Sequence, residues 1–193
     1  MRLLLSKLIV GLILFAPSLA LSQVQARPQP SVNPHAKILI DFKKRVDAYV
    51  ALRQKIDDGA PPLKKTEEPA DIRVAQEALA ARIKAGRADA KQGDVFTPAI
   101  AAELRRLMHS EVKEKGTKEL IKEPTDKPPA VPFKVNGDYP KEQTVSTVPP
   151  DILRSLPSFP ESAQIQYRFG GKHLILYDAR SNLIMDYIFN AIP

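Results

Sequence analysis

The sequence predicts an α+β fold, with an N-terminal three-helix region, a proline-rich linker and a small C-terminal antiparallel β-meander. Three observations predict it. Apolar residues recur at three- and four-residue steps between residues 33 and 116, the spacing of one helix face. Pro124, Pro128, Pro129, Pro132, Pro140, Pro149 and Pro150 then interrupt every potential element. After residue 164, apolar and polar residues alternate, as they do on a half-buried strand. The expected organisation is a signal peptide at 1–26, a helical region at 27–116, a linker at 117–149 and a sheet module at 150–193.

The first segment carries Arg2 and Lys7, then an uncharged apolar run over residues 8–16, Pro17, and a small, polar stretch ending Val24-Gln25-Ala26. This is the order of a cleavable export signal. Cleavage is expected after Ala26, with Ala20 and Ser22 as alternative sites. The apolar run falls short of the roughly 20 residues a membrane-spanning helix needs. The mature protein is therefore expected outside the cytoplasm, periplasmic or secreted, with no transmembrane span once the signal is removed.

Residues 27–32 form a polar lead-in. Asn33-Pro34 then starts the first helix: Asn offers its side-chain oxygen to the open N–H groups, and Pro tolerates the first turn. Leu39, Phe42, Val46, Tyr49, Val50 and Ile56 form its apolar stripe, and Gly59 with Pro61-Pro62 stops it. A second helix starts near Pro69 on the stripe Ile72, Ala75, Leu79, Ile83 and Gly86, with Gly93 expected to end it. Thr97-Pro98 opens a third, striped by Ile100, Leu104, Leu107, Met108 and Val112 and running to Gly116, with Phe96 placed to staple its start.

Within the linker, residues 131–135 suit a short edge strand and Asn136-Gly137 a turn. Residues 150–156 read as one short helical turn. Ile165, Tyr167 and Phe169 face one way on the first strand, and Gly170-Gly171 is expected to make the hairpin loop. Residues 173–177 return as a second strand and 183–188 as a third, with a helix over 180–189 as the competing reading. Such a meander needs a helix or the linker against a face.

Composition narrows the function. The chain has 193 residues, no cysteine and no tryptophan, which excludes disulfides, thiolate nucleophiles and thiolate metal sites. Removing residues 1–26 takes away two cations and no acid, so the formal charge falls from +7 to +5. His35, His109 and His173 lie far apart, without a metal-ligating step, and His109-Ser110 point about 100° apart on a helix. Asp57-Asp58 and Glu67-Glu68 sit at helix ends, where carboxylates serve turns and dipoles. No phosphate-cradling glycine loop, G-x-S-x-G, H-E-x-x-H or C-x-x-C occurs. The sequence points to no catalytic residue, cofactor or metal.

Basic residues line all three helices: Lys43-Lys44-Arg45, Arg53 and Lys55, then Arg82, Lys84, Arg87 and Lys91, then Arg105 and Arg106. A basic helical face suits an anionic lipid, lipopolysaccharide or wall polymer. Lys44, Arg45, Arg53 and Arg87 are the expected contacts. Nucleic acid is not expected of an exported chain without interleaved aromatics. Tyr167, Tyr177 and Tyr187 are expected as structural or contact rings of the sheet.

The tail, from Pro149-Pro150-Asp151-Ile152-Leu153 through Tyr167-Arg168-Phe169, Leu174-Ile175-Leu176-Tyr177-Asp178 and Leu183-Ile184-Met185-Asp186-Tyr187-Ile188, resembles the C-terminal hairpin of uncharacterised bacterial exported proteins. Similar short hairpins end some periplasmic proteins linked to nickel and cobalt homeostasis, whose histidine-rich character is missing here. The resemblance covers about a quarter of the chain and implies bacterial origin, an envelope or secreted location, and no catalytic residue. The expected role is a non-catalytic binding or structural accessory of the cell envelope. An adaptor accepting a partner strand on the sheet edge, and a hydrolase in which His109 or His173 meets a carboxylate, are the alternatives.

Overall fold

Residue 33 shows why the first helix begins where it does: Asn33 Oδ1 accepts the His35 backbone N–H at 3.0 Å, with Pro34 in the first turn. In the computed structural model the described residues are 33–59, 68–114, 132–140 and 150–192, all within one compact unit, Val32–Pro193. The expected signal peptide, the 27–32 lead-in and most of the 117–149 linker lie outside the described residues.

The elements follow in the order α1 (Pro34–Asp58), α2 (Pro69–Gly86), α3 (Pro98–Glu114), α4 (Pro150–Ser155), a short 3-10 turn (Glu161–Ala163), β1 (Ile165–Gly170), β2 (His173–Asp178) and β3 (Leu183–Ile188). The fold is α+β as expected, with helices in the N-terminal part and a C-terminal meander of strand order β1-β2-β3. Residues 183–188 are strand, not helix.

Each helix buries its stripe with one surprise. α1 buries Phe42, Val46 and Tyr49, and then Arg53 at the next stripe position. α3 buries Ile100, Ala101, Leu104, Met108 and Val112, and with them Glu103. α2 buries only Leu79, Ala80 and Ile83; Ile72, expected inside, is 52% exposed. That helix also stops at Gly86 rather than Gly93, because residues 87–96 leave the helix axis to form a loop against β3. Gly93 serves that loop, at φ +91.

The sheet has two covered faces. Leu174, Leu176, Leu183, Met185 and Ile188 join the helix stripes in the main core. Ile175, Tyr177 and Ile184 face the other way and are covered by Phe133 and Tyr139 of the 132–140 segment. Register shifts between Leu176 and Tyr177, where Leu176 pairs with Asp186 and Tyr177 with Ile184, leaving Met185 as an extra residue on β3. This bulge re-aims the side chains around it, and Asp186 sits there.

One turn and one pairing differ from expectation. Gly170 ends β1 paired with His173, so the hairpin loop is Gly171-Lys172, with Gly171 at φ +60. A type II′ turn needs glycine at that first central position. In the linker, the pairing seen among the described residues falls not at residues 132–135 of the expected 131–135 strand but just after them. Asn136 N–H donates to Ile184 O at 2.9 Å, Ile184 N–H to Gly137 O at 2.9 Å, and Tyr139 N–H to Asn182 O at 3.1 Å. The expected Asn136-Gly137 turn forms, closed by Gly137 N–H on Lys134 O at 2.9 Å, with Asn136 at φ +60.

Candidate functional site

The polar groups that the fold brings together begin with Asp178, the last residue of β2. Alternation along β2 aims Leu174, Leu176 and Asp178 at the helices. Its carboxylate has no exposed surface and meets the fourth position of the α1 stripe, Arg53, with Nη1 at 2.7 Å from Oδ1. Tyr49 and Ser181 each donate a hydroxyl to Oδ2 at 2.7 Å, and the Arg180 N–H donates to Oδ1 at 3.0 Å. Burial and the Asp178 charge push the Tyr49 phenol far above its usual range, so it holds its proton and donates it. Arg180 in turn reaches Asp57 on α1, Nε to Oδ2 at 2.7 Å.

A second buried carboxylate, Asp186, is held by backbone alone. Oδ2 accepts from the amides of Gly93, Val95 and Phe96 at 3.1, 2.9 and 2.8 Å, and Oδ1 from Tyr187 at 2.8 Å. Burial lifts this carboxyl above the ordinary range, and the amides offset part of that rise.

A third buried carboxylate, Glu103, meets two exposed partners. Glu103 of α3 accepts from Arg106 Nη2 at 2.6 Å and lies 2.7 Å from His35 Nδ1 on α1. The Arg106 hydrogen bond is the largest influence holding Glu103 down at about 2. This carboxylate is ionised at neutral pH and is a poor proton donor.

The four expected anion contacts do not form one patch. Arg53 is internal, because the α1 stripe continues through it, and is unavailable to an outside partner. Arg87 is half-buried, its guanidinium 4.8 Å from the centre of the Tyr49 ring and bonded to Asn136 Oδ1 at 2.8 Å. Arg45 bonds to Asp41 at 3.0 Å and to the Asp94 carbonyl at 2.8 Å. Lys44 alone of the four is exposed. At about 100° per residue, it shares an outer α1 face with Lys37, Ala48, Ala51 and Lys55, all exposed. Ile40 borders that face, 52% exposed. Lys37 and Lys55 belong to the same signal, readable as lysines at seven- and eleven-residue steps, but the expectation favoured arginines instead.

His173 is half-buried between Phe133 and Phe189 and accepts the Asn190 N–H at Nδ1 at 3.1 Å, which places its proton on Nε2. His109 is exposed on α3. The carboxylate contact falls to His35, not to either histidine the hydrolase reading required. Among the described residues, no group of three or more His, Asp or Glu is placed to hold a metal ion. No described helix is long and apolar enough to cross a membrane.

The three sheet tyrosines all pack. Tyr167 donates its hydroxyl to Pro157 O at 3.0 Å, and Tyr177 donates to Asn182 Oδ1 at 2.8 Å beneath the Arg168 guanidinium, 3.6 Å from its ring centre. Tyr187 lies against Phe189 at 5.0 Å between ring centres. The outer edge of β3 is paired with residues 136–139, so a partner strand would reach it only by displacing them.

Comparison with protein-family models, with curated proteins and with solved structures found no match.

Proposed function

We propose that this chain is an exported, non-catalytic binding accessory of the bacterial cell envelope, and that it meets an anionic partner on the outer face of α1. The export half rests on residues 1–26 of the sequence. The binding half rests on one observation: Lys37, Lys44 and Lys55 share an exposed face and make no ion pair among the described residues, while Arg45 and Arg53 are paired internally. Each lysine near an anionic surface contributes about 1 kcal/mol, so three together supply roughly a hundredfold in affinity. That the role is non-catalytic is supported by the state of the acids: Asp178 and Asp186 are buried and fully engaged, and Glu103 is held ionised by Arg106.

Co-sedimentation with phosphatidylglycerol vesicles tests the reading. Retention at low salt that is lost at about 0.5 M salt, where the screening length falls below about 5 Å, supports it. So does loss of retention in the Lys37→Glu/Lys44→Glu/Lys55→Glu variant. Absence of binding at low salt, or binding unchanged at high salt, defeats it.

A further inference from the structure

Beside α1, adjoining its lysine face at Ala51, the helix and residues 159–164 enclose an open cleft of about 570 Å3. That is within the range of about 300–1,000 Å3 typical of small-molecule sites. The ionised groups on its wall are largely neutralised by partners within the protein. Asp47 is paired with Lys43 at 2.7 Å, Arg53 with Asp178 at 2.7 Å, and Asp57 with Arg180 at 2.7 Å. Asp58 adds one carboxylate at the end of the helix.

Besides these pairs and Asp58, the polar part of the wall is neutral. Gln54, Ser162 and Gln164 are exposed around the cleft. Gln164 is held at φ +52, just after the 3-10 turn, a left-handed conformation in which side chains other than Asn, Asp and Gly are uncommon. The apolar part of the wall is Val46, Val50, Ala163 and the half-buried ring of Phe159. Phe42 and Tyr167 fix that ring, with centres 5.9 and 5.2 Å away.

We propose that this cleft binds a neutral saccharide. A sugar hydroxyl donates and accepts at once, and it is matched by groups that fork: two amides, a serine hydroxyl, and the partly exposed Asp57–Arg180 pair. The C–H face of a pyranose is apolar and flat, which suits Phe159 and the valines. An anion or cation gains little from a wall whose charges are already matched, whereas a polyhydroxylated ring loses nothing to that neutrality. Arg53, 5% exposed and locked to Asp178, backs the wall as a fixed group rather than a ligand contact, so the wall itself needs no ordering when a ligand arrives. The inference is independent of the anionic-partner reading, since it uses different residues and no net charge.

The test is an NMR titration of the purified chain with maltotriose, cellotriose and N,N′,N″-triacetylchitotriose. Saturable binding of at least one is expected, with amide shifts at Gln54, Ser162 and Gln164 and an affinity unchanged at high salt. Gln54→Ala with Ser162→Ala, both exposed positions, weakens it about tenfold, the loss of about 1.4 kcal/mol of hydrogen bonding, with the melting temperature unchanged. The Lys37→Glu/Lys44→Glu/Lys55→Glu variant keeps it, which separates this site from the lysine face. Failure of all three sugars to saturate overturns the proposal. So does binding that survives the Gln54/Ser162 change, or binding that salt abolishes.

Discussion

Arg53 Nη1 lies 2.7 Å from Asp178 Oδ1, with the two side chains 6% and 0% exposed, and so ties the second half of α1 to the end of β2 across 125 residues of sequence. A buried pair of this kind adds little over a well-packed apolar pair, but removing one partner strands the other charge. Asp178→Ala leaves Arg53 uncompensated and takes the acceptor from the Tyr49 and Ser181 hydroxyls. We expect it to cost about 3–5 kcal/mol in urea unfolding. In the double variant Arg53→Met/Asp178→Leu the cost falls well below the sum of the single changes. Additive losses would show that the pair is not coupled.

The buried carboxylate on β3 poses a different test, because no side-chain cation forms its hydrogen bonds. In Asp186→Asn, an NH2 group replaces one of the two accepting oxygens and faces backbone N–H groups of residues 93–96. The loop loses its anchor while the shape is kept. The expected cost is about 3 kcal/mol, with the amides of Val95 and Phe96 exchanging faster with solvent than those of α3. Unchanged exchange at these amides would mean that the loop is held by its packing instead.

Local periodicity explains which of these features the sequence made legible. The Asn33-Pro34 start, the stripe Phe42-Val46-Tyr49 and the alternation of β1 depend on neighbours within a few residues, and all formed as read. Arg53 lies on the same stripe at the next step, yet its charge marks it in the sequence as an outward contact for an anionic partner. Its meaning came from Asp178, an acid on the core-facing side of an apolar strand, and no local spacing links the two. The end of α2 was misplaced because Gly93 looked like a helix stop, when its positive φ serves the loop around Asp186. The cleft was invisible for the same reason as the ion pair: residues 159–164 reach α1 only through the tertiary fold.

Acid should weaken the junction between α1 and α3. Glu103 has its carboxyl lowered from 4.5 to about 2, first by the hydrogen bond from Arg106 and then by that from His35. A carboxyl lowered on folding stabilises the native state fully above its unfolded value, and that contribution is lost as pH falls from about 4.5 towards 2. Arg106 and His35 are 51% and 53% exposed, so solvent screening limits the effect to about 1 kcal/mol. The urea midpoints of the wild type and Glu103→Gln should therefore differ near neutral pH and converge near pH 2. A gap that stays constant with pH would remove Glu103 as the source.

Two glycines with opposite surroundings give the last prediction. At Gly86, the end of α2, an added Cβ meets only the Ile56 Cδ1 methyl at 3.3 Å, the far end of a side chain that can turn aside. Alanine there narrows the unfolded ensemble and favours helix, so Gly86→Ala is expected to raise stability by about 0.5 kcal/mol. At Gly137 the Cβ would lie 2.8 Å from the Lys134 carbonyl oxygen, which is backbone and already fixed by the Gly137 N–H at 2.9 Å. Relief requires the turn to open, and the turn aligns residues 136–139 on β3. Gly137→Ala is expected to cost about 1–2 kcal/mol and to speed exchange of the Ile184 amide, which donates to Gly137 O at 2.9 Å. If the Ile184 amide stays protected in Gly137→Ala, the pairing of this segment with β3 does not depend on the turn.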